Sequence, residues 1–471
     1  QKNKINIAEV VDAEQMERFP DANLGDALKR LSGINVQYDQ GEARFANIRG
    51  TAPELNSITV NGERIPSAEA EKRFVQLDLV PSDMVGSVEV NKAVTPDMDG
   101  DAIGGSINLI TQKAKPGVKI KGTLGTGYSV LTEKALFKGK LAYSNRFVGD
   151  KIGVVISASG LNKPVRSDNI EAEWDYADEN NKDASAVPTD IQVRQYELER
   201  LRQSYAATFD YGISANHNIY VTGMYTWRND WENRYRLRFK DIELTDEGYS
   251  AEIRRQTKGG SNDNRSRRLE DQRTQSISAG GDHFFGKLKA KWTLSALAAS
   301  EDRPNERYVS LKAKDQLVSL DLTDLRAPGI MPVDIEVRDL SSAYGLNEIT
   351  EENQFTEEED FNARLDLEVP ILYGSNSSFL KFGARYKSKN KMRNNNFTEY
   401  ESLTEGEFVM DVLSSVEDKT FANFAHPGYE IGSFVSEEYL GDLNFDNNFE
   451  GESVLEELAG NFEAEENVIA G

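Results

Sequence analysis

The 471-residue chain has no cysteine, so disulfide staples, thiolate metal sites and thiol nucleophiles are all excluded. Histidine is nearly absent: His217, His283 and His426 are far apart in sequence, which makes each a structural or surface residue rather than a catalytic one. No run of 18 apolar residues occurs, so no transmembrane helix is encoded. Basic charge is also short, with 55 Lys and Arg against 79 Asp and Glu and a net charge of −24, which argues against a nucleic-acid partner. Signatures of common enzymes are missing too. There is no G-x-S-x-G, no H-E-x-x-H and no phosphate-binding P-loop, and the many carboxylates lie in charged stretches without catalytic spacing. The chain is read as a non-enzyme with no resident cofactor and no metal centre. It shows no signal peptide and begins, at Gln1, as a processed chain would.

What the chain does have is period-two alternation. A mean hydropathy of −0.58 is compatible with a membrane barrel, whose strands need only about ten alternating residues each. Ile120, Leu124 and Tyr128 share one face of a strand, and Lys119, Lys121 and Thr123 the other. The same pattern runs through Phe137 to Tyr143, Ile219 to Trp227, Leu288 to Ala296, Phe361 to Val369 and Leu380 to Tyr386. The opposite faces are long and ionic, and aromatics gather near strand ends, as in a barrel that is apolar outside and wet inside. Short links (Ser144–Lys151, Ser214–His217) alternate with long polar ones at about 162–200, 230–270, 300–357 and 392–461, which are expected as extracellular loops. About nine strands are legible, plus a start near Glu466, against about 22 in plugged transporters, so a truncated barrel is expected.

Residues 1–113 read differently. Asp12 to Gln15 fits a capping box, closed by Pro20. Leu24, Ala27, Leu28 and Leu31 form a helical face capped by Asp21 or Asn23, with Gly33 as its stop. Short strands follow near Ala46–Ile48 and Ile58–Val60, and Asn61-Gly62 signals a hairpin. The result is a small α+β domain.

The ordered series PDANLGDALKRLSGINV, FANIRG, ITVNGERI and SVEVNKAVTPDMDGDAIGGSINLIT resembles the plug domain of TonB-dependent outer-membrane receptors, nearest a branch found in Xanthomonas- and Caulobacter-like bacteria. The resemblance implies a plug over residues 1–113, followed over 114–471 by part of a transmembrane antiparallel β-barrel with long acidic extracellular loops, in the bacterial outer membrane. It also implies ligand uptake gated by the plug and driven by a periplasmic TonB-type transducer, because the outer membrane has no ATP. No TonB box is seen before Ile5. Arg49, Gly50, Asn61, Gly62, Gly104, Gly105 and Asn108 carry the plug signature, and Glu69, Glu71, Lys72 and Arg73 are expected to face substrate.

Lys138, Lys140, Lys289, Lys291, Arg364, Lys381 and Arg385 are expected as lumen cations, paired with plug carboxylates (Asp78, Asp97, Asp99, Asp101) or attracting anionic solutes. The acidic stretch Phe397–Gly471, including Glu401, Glu405, Glu407, Asp411, Glu452, Glu456 and Glu457, reads as solvated loop, with calcium as a second reading there and at Asn169–Asp183. Substrates within reach of this layout are iron chelates, cobalamin, oligosaccharides and peptides. The alternative function is a non-transporting subunit whose loops dock a surface lipoprotein or another envelope protein. The remaining partner is outer-membrane lipid.

Overall fold

The computed structural model describes residues 8–12, 23–70, 72–80, 85–95, 98, 100, 102–176, 186–336, 340, 343–372, 378–402, 411–420, 429–446, 449–453 and 460–471. The N-terminal unit holds β1 (Ala8–Asp12), α1 (Leu24–Leu28), β2 (Ile34–Asp39), β3 (Glu42–Ile48), β4 (Asn56–Val60), β5 (Glu63–Arg64), β6 (Val85–Asn91) and β7 (Gly105–Thr111). Five of these strands form one sheet in the order β1-β6-β7-β4-β5, with β4 and β7 parallel, while β2 and β3 form a separate hairpin. Asn23 caps α1 by accepting from the Asp26 N–H at 3.1 Å. Leu24, Leu28, Ile48, Ile107 and Leu109 are the fully buried centre of this unit. Asp12 ends β1, and the rest of the expected first helix lies outside the described residues.

The second unit is a 13-stranded antiparallel sheet. It begins with β8 (Lys119–Ser129), β9 (Lys134–Phe147), β10 (Ile152–Tyr176), β11 (Ala186–Ser214) and β12 (His217–Thr245). It continues with β13 (Gly248–Gly260), β14 (Arg268–Phe285), β15 (Leu288–Asp321), β16 (Gly329–Pro332), β17 (Gly345–Leu372) and β18 (Ser378–Ser402). After β19 (Val416–Asp418), β20 (Ser433–Val435) and α2 (Glu437–Asp442) come β21 (Phe449–Ser453) and β22 (Phe462–Ala470). The pairing path runs from β8 to β18, which pairs with both β21 and β22, and among the described residues β8 is paired with neither of these. Leu124, Phe137, Leu141, Phe361 and Phe382 are exposed on the outer face, forming an apolar band that suits lipid.

The expected long loops are mostly strand. β10, β11, β12, β15, β17 and β18 carry ladder pairing through much of 162–200, 230–270, 300–357 and 392–402. The reason is a change of environment along one strand. Pairing along β11 is regular from Ile191 to Gly212, so its odd positions keep one face. Tyr205 and Phe209 on that face are exposed, whereas Ile191 and Val193 farther up are fully buried. The outer face is therefore bare low down and covered high up.

The cover is residues 411–420 and 429–446, so this part of the acidic stretch is not simply solvated loop. Val412, Ile431, Phe434, Val435 and Leu440 pack on Tyr235, Leu237, Phe239, Leu311 and Ile349 in a second core. Buried Arg255 donates to the carbonyls of Ile431 (3.2 Å) and Ser433 (3.1 Å), and Arg307 to those of Leu440, Gly441 and Leu443 at 2.8–3.2 Å. Apolar residues spaced among the acids drive this fold-back, and burial of their surface outweighs the charge pattern around them.

Candidate functional site

The signature residues of the N-terminal unit knit one corner of it. Asn61 and Gly62 both have positive φ (52° and 92°), the primed turn that joins β4 to β5. The Asn108 side chain accepts from the Gly62 N–H (2.9 Å) and the Thr59 hydroxyl (3.0 Å), holding that turn against β7. Arg49, itself at φ 55°, sends its guanidinium to the Gly104 carbonyl at 2.9 Å. Gly105 sits at φ 143°, where a Cβ would come within 2.7 Å of the Asn91 carbonyl oxygen. These contacts set the local backbone.

This unit lies against the inner face of the large sheet through ionic contacts. Arg228 of β12 pairs with Asp78, both almost fully buried. Glu42 meets Arg200 (3.0 Å), Arg202 (3.0 Å) and Lys163 (3.4 Å), and Arg200 also holds Asp230 at 2.6 Å. Burial alone would raise the Glu42 carboxyl, but Arg202, Arg200 and Lys163 hold it well below the usual carboxylate range. On the far side Arg385 reaches Glu63 at 3.2 Å, and Lys391 donates to the Glu69 and Lys72 carbonyls at 2.7 and 2.9 Å. Contacts from β10 through β18 show that the sheet wraps the unit.

Of the residues expected to face substrate, Lys72 and Arg73 are exposed, whereas the Glu69 carboxylate is tied to Arg44 and Gln76 at 2.6 Å each, and Glu71 lies outside the described residues. The expected lumen cations fall into two groups. Lys291, Arg364, Lys381 and Arg385 line a cavity of about 420 Å³ between β4, β6, β7 and the sheet, shared with Asn61, Gly62 and Asn108. Within it Lys291 pairs with Asp282 (3.1 Å) and Arg364 with Asp366 (2.7 Å). Lys138 and Lys140 line a smaller gap beside Glu42 and Asp78, and Lys289 pairs with Glu368 at 3.9 Å. Asp97, Asp99 and Asp101 lie outside the described residues.

The TonB-dependent receptor plug domain family matches residues 1–106. This chain carries a TonB-dependent receptor plug. With its plug enclosed by strands that show an apolar outer band, the chain is an outer-membrane receptor of the bacterial cell. Similar solved structures include the ferric enterobactin receptor of Pseudomonas aeruginosa, at 11% identity and TM-score 0.37 over 84% of this chain and 72% of that one. Another is the ferric-catecholate import receptor Fiu of E. coli K12, at 12% identity and TM-score 0.32 over 84% and 69%. The siderophore receptor PirA of Acinetobacter baumannii aligns at 11% identity and TM-score 0.30 over 83% and 79%. Likeness at this level does not fix a ligand.

Two features escaped sequence reading. His217 and His283, 66 residues apart, are direct cross-strand neighbours with Nδ1 atoms 3.2 Å apart, and His283 Nε2 accepts from the Trp292 indole at 3.0 Å. Register between β12 and β14 creates that pair, and spacing gives no hint of it. The upper arginines of β11, β12 and β13 were likewise lost inside segments taken for loops. Among the described residues, the tightest carboxylate grouping is Glu417, Glu437 and Glu438, and Lys419 sits in it, 2.8 Å from Glu417 and 3.1 Å from Glu437.

Proposed function

We propose that this receptor takes up a solute that lands on the inner sheet face above the plug and passes it inward when TonB, acting from the side of the short turns, loosens the plug from the sheet. The observation that carries this reading is the plug–sheet contact itself. It is rich in ion pairs and hydrogen bonds, with Ala206 and Met224 of the sheet its apolar contribution to the plug core, and a polar cavity of about 420 Å³ lies beside it. A polar interface can exchange its partners for water, whereas a continuous apolar core could not open without exposing its whole surface. The apolar outer band faces outer-membrane lipid. Lys72 and Arg73, at the exposed plug loop, are the plug residues that first meet the solute.

The test is accumulation by intact cells of labelled ferric citrate, ferric enterobactin and maltoheptaose, with and without collapse of the proton-motive force. Accumulation of one of them that disappears on collapse is expected. Binding at the cell surface with no accumulation of any of the three would favour a docking subunit instead.

A further inference from the structure

We propose that the inner face above the plug is a docking site for a polyvalent oxyanion, a carboxylate- or phosphate-bearing solute, centred on Arg236 and Arg234. The inference rests on the uptake reading and names the class of solute.

Register carries the argument. β12 pairs with β11 without a shift from Phe239 down to Asn218, so its even positions share one face. Arg228 on that face meets plug Asp78, which fixes it as the inner one. Eight residues farther along, about 27 Å at the usual strand rise, Arg236 stands on the same face. Directly across the ladder from it on β11 is Arg194. Arg234 is directly opposite Lys258 of β13, Arg238 is opposite Arg254, and Arg254 in turn is opposite Lys312 of β15. Four like-charge pairs in neighbouring positions are an arrangement that sheets otherwise avoid, since like charges directly opposite destabilise the ladder.

The cations at the rim of this patch have partners. Arg238 pairs with Asp190 (2.7 Å), Arg194 with Glu171 (2.7 Å), Arg254 with Glu252 and Lys258 with Glu306 (2.5 Å). Those at its centre do not. Arg234 reaches only the neutral side chain of Gln256, at 2.6 Å, and lies near the Tyr308 ring. Among the described residues Arg236 has no hydrogen-bond or ion-pair partner, and its Nε and that of Arg234 are buried and unsatisfied. Burial, together with Arg234, Arg238 and Arg194, disfavours the Arg236 charge. A guanidinium nevertheless stays charged near neutral pH, so the cost remains until an anion arrives. Glu348 faces the patch from β17 without an ion pair to Arg234 or Arg236; burial and Glu399 push its carboxyl up, although Arg236, Arg254 and Arg234 oppose this. Forked guanidinium donors side by side suit carboxylate and phosphate oxygens.

The experiment is calorimetric titration of the full chain in detergent with citrate, with pyrophosphate and with sucrose as the neutral control, at 50 and 300 mM NaCl. Saturable binding of at least one anion, weaker at the higher salt, is expected. It should weaken at least tenfold in Arg236→Ser and further in the Arg234→Ser/Arg236→Ser pair, with Lys287→Ser, exposed at the short turn between β14 and β15, unchanged. Preference for citrate or pyrophosphate tells carboxylate from phosphate. Binding of neither anion, equal binding in the arginine variants, or comparable binding of sucrose would overturn the inference. The titration needs no energy source, so anion binding by a protein that fails to accumulate any solute in cells would sink the uptake reading and leave this one standing.

Discussion

One face of β11 and β12 carries two kinds of ionic ladder. Low down, beside the plug, charges of both signs interleave: Arg200 with Asp230 and Glu42, Arg228 with Asp78, Arg202 with Glu42. Higher up, Arg194, Arg234, Arg236 and Arg238 follow one another; Arg194 and Arg238 at the rim have carboxylate partners, whereas among the described residues Arg234 and Arg236 form no ion pair, Glu348 included. The strands, the face and the pleat are the same, and only the presence of a partner within the chain differs. Charges matched inside the molecule hold the plug in place. Charges left unmatched at the centre of a patch have no such structural use, and they point outward to a solute.

The largest expected effect is at the matched ladder. Asp78→Ala would leave Arg228, fully buried, with only the more distant Asp230 (3.6 Å) and the neutral Gln272 as partners. Removing one partner of a buried pair costs about 3–5 kcal/mol. The variant should therefore lose that much stability in urea unfolding followed by tryptophan fluorescence, with faster amide exchange in β3 and β4. An unchanged midpoint would mean that the lower ladder is no more structural than the upper one.

Within the plug, Gly105→Ala introduces a Cβ at φ 143° facing the Asn91 carbonyl. Strain of this kind costs about 1–3 kcal/mol. Its loss should appear as plug-specific exchange in β6 and β7, with the strands above untouched. A global change would show that plug and sheet unfold as one body.

The plug was legible because its signals are local. Asn61-Gly62 announces a primed turn and Gly104-Gly105 a strained strand start, and both do in the structure what their chemistry dictates. The lower strands were legible because lipid on one side and water on the other enforce strict alternation, as at Ile120, Leu124 and Tyr128. Higher up that boundary condition ends. Ile191, Val193, Tyr235 and Leu237 are buried not by lipid but by residues 411–420 and 429–446, more than 170 positions away in sequence. The opposite face there is Arg, Lys and Glu, so period two persists in the backbone while its sequence signature fades. The arginine patch needs register as well as strand identity: Arg194 and Arg236 are 42 residues apart, and only the β11–β12 pairing sets them opposite each other.

A pH series sharpens the contrast from the acid side. Glu42 is ionised far below its ordinary value in the folded chain because Arg202, Arg200 and Lys163 surround it, although burial opposes this. A depressed folded value means that its contribution is fully present above the unfolded carboxylate range. It is lost only as pH falls below about 4.5 and on through the folded value. Wild-type stability should therefore decline with acid in that window, and Glu42→Gln should flatten part of the decline. A Gln variant with the same acid slope as wild type would remove Glu42 from the matched ladder.

The smallest effect in energy bears most directly on the comparison. Arg228→Met and Arg236→Met delete the same group from the same face of the same strand, eight residues apart. The first strands Asp78 and should be costly, by about 3–5 kcal/mol. The second removes a cation that faces Arg194 across the ladder and has no carboxylate of its own. Relief of a like-charge cross-strand pair is worth about 0.2–1 kcal/mol, so Arg236→Met should unfold at equal or slightly higher urea than wild type. A half-buried arginine whose removal stabilises the fold is one the fold does not need, and its place on the inner face then answers to the solute. If Arg236→Met were as costly as Arg228→Met, Arg236 would be a structural residue, and the division of this face into a matched and an unmatched ladder would fail.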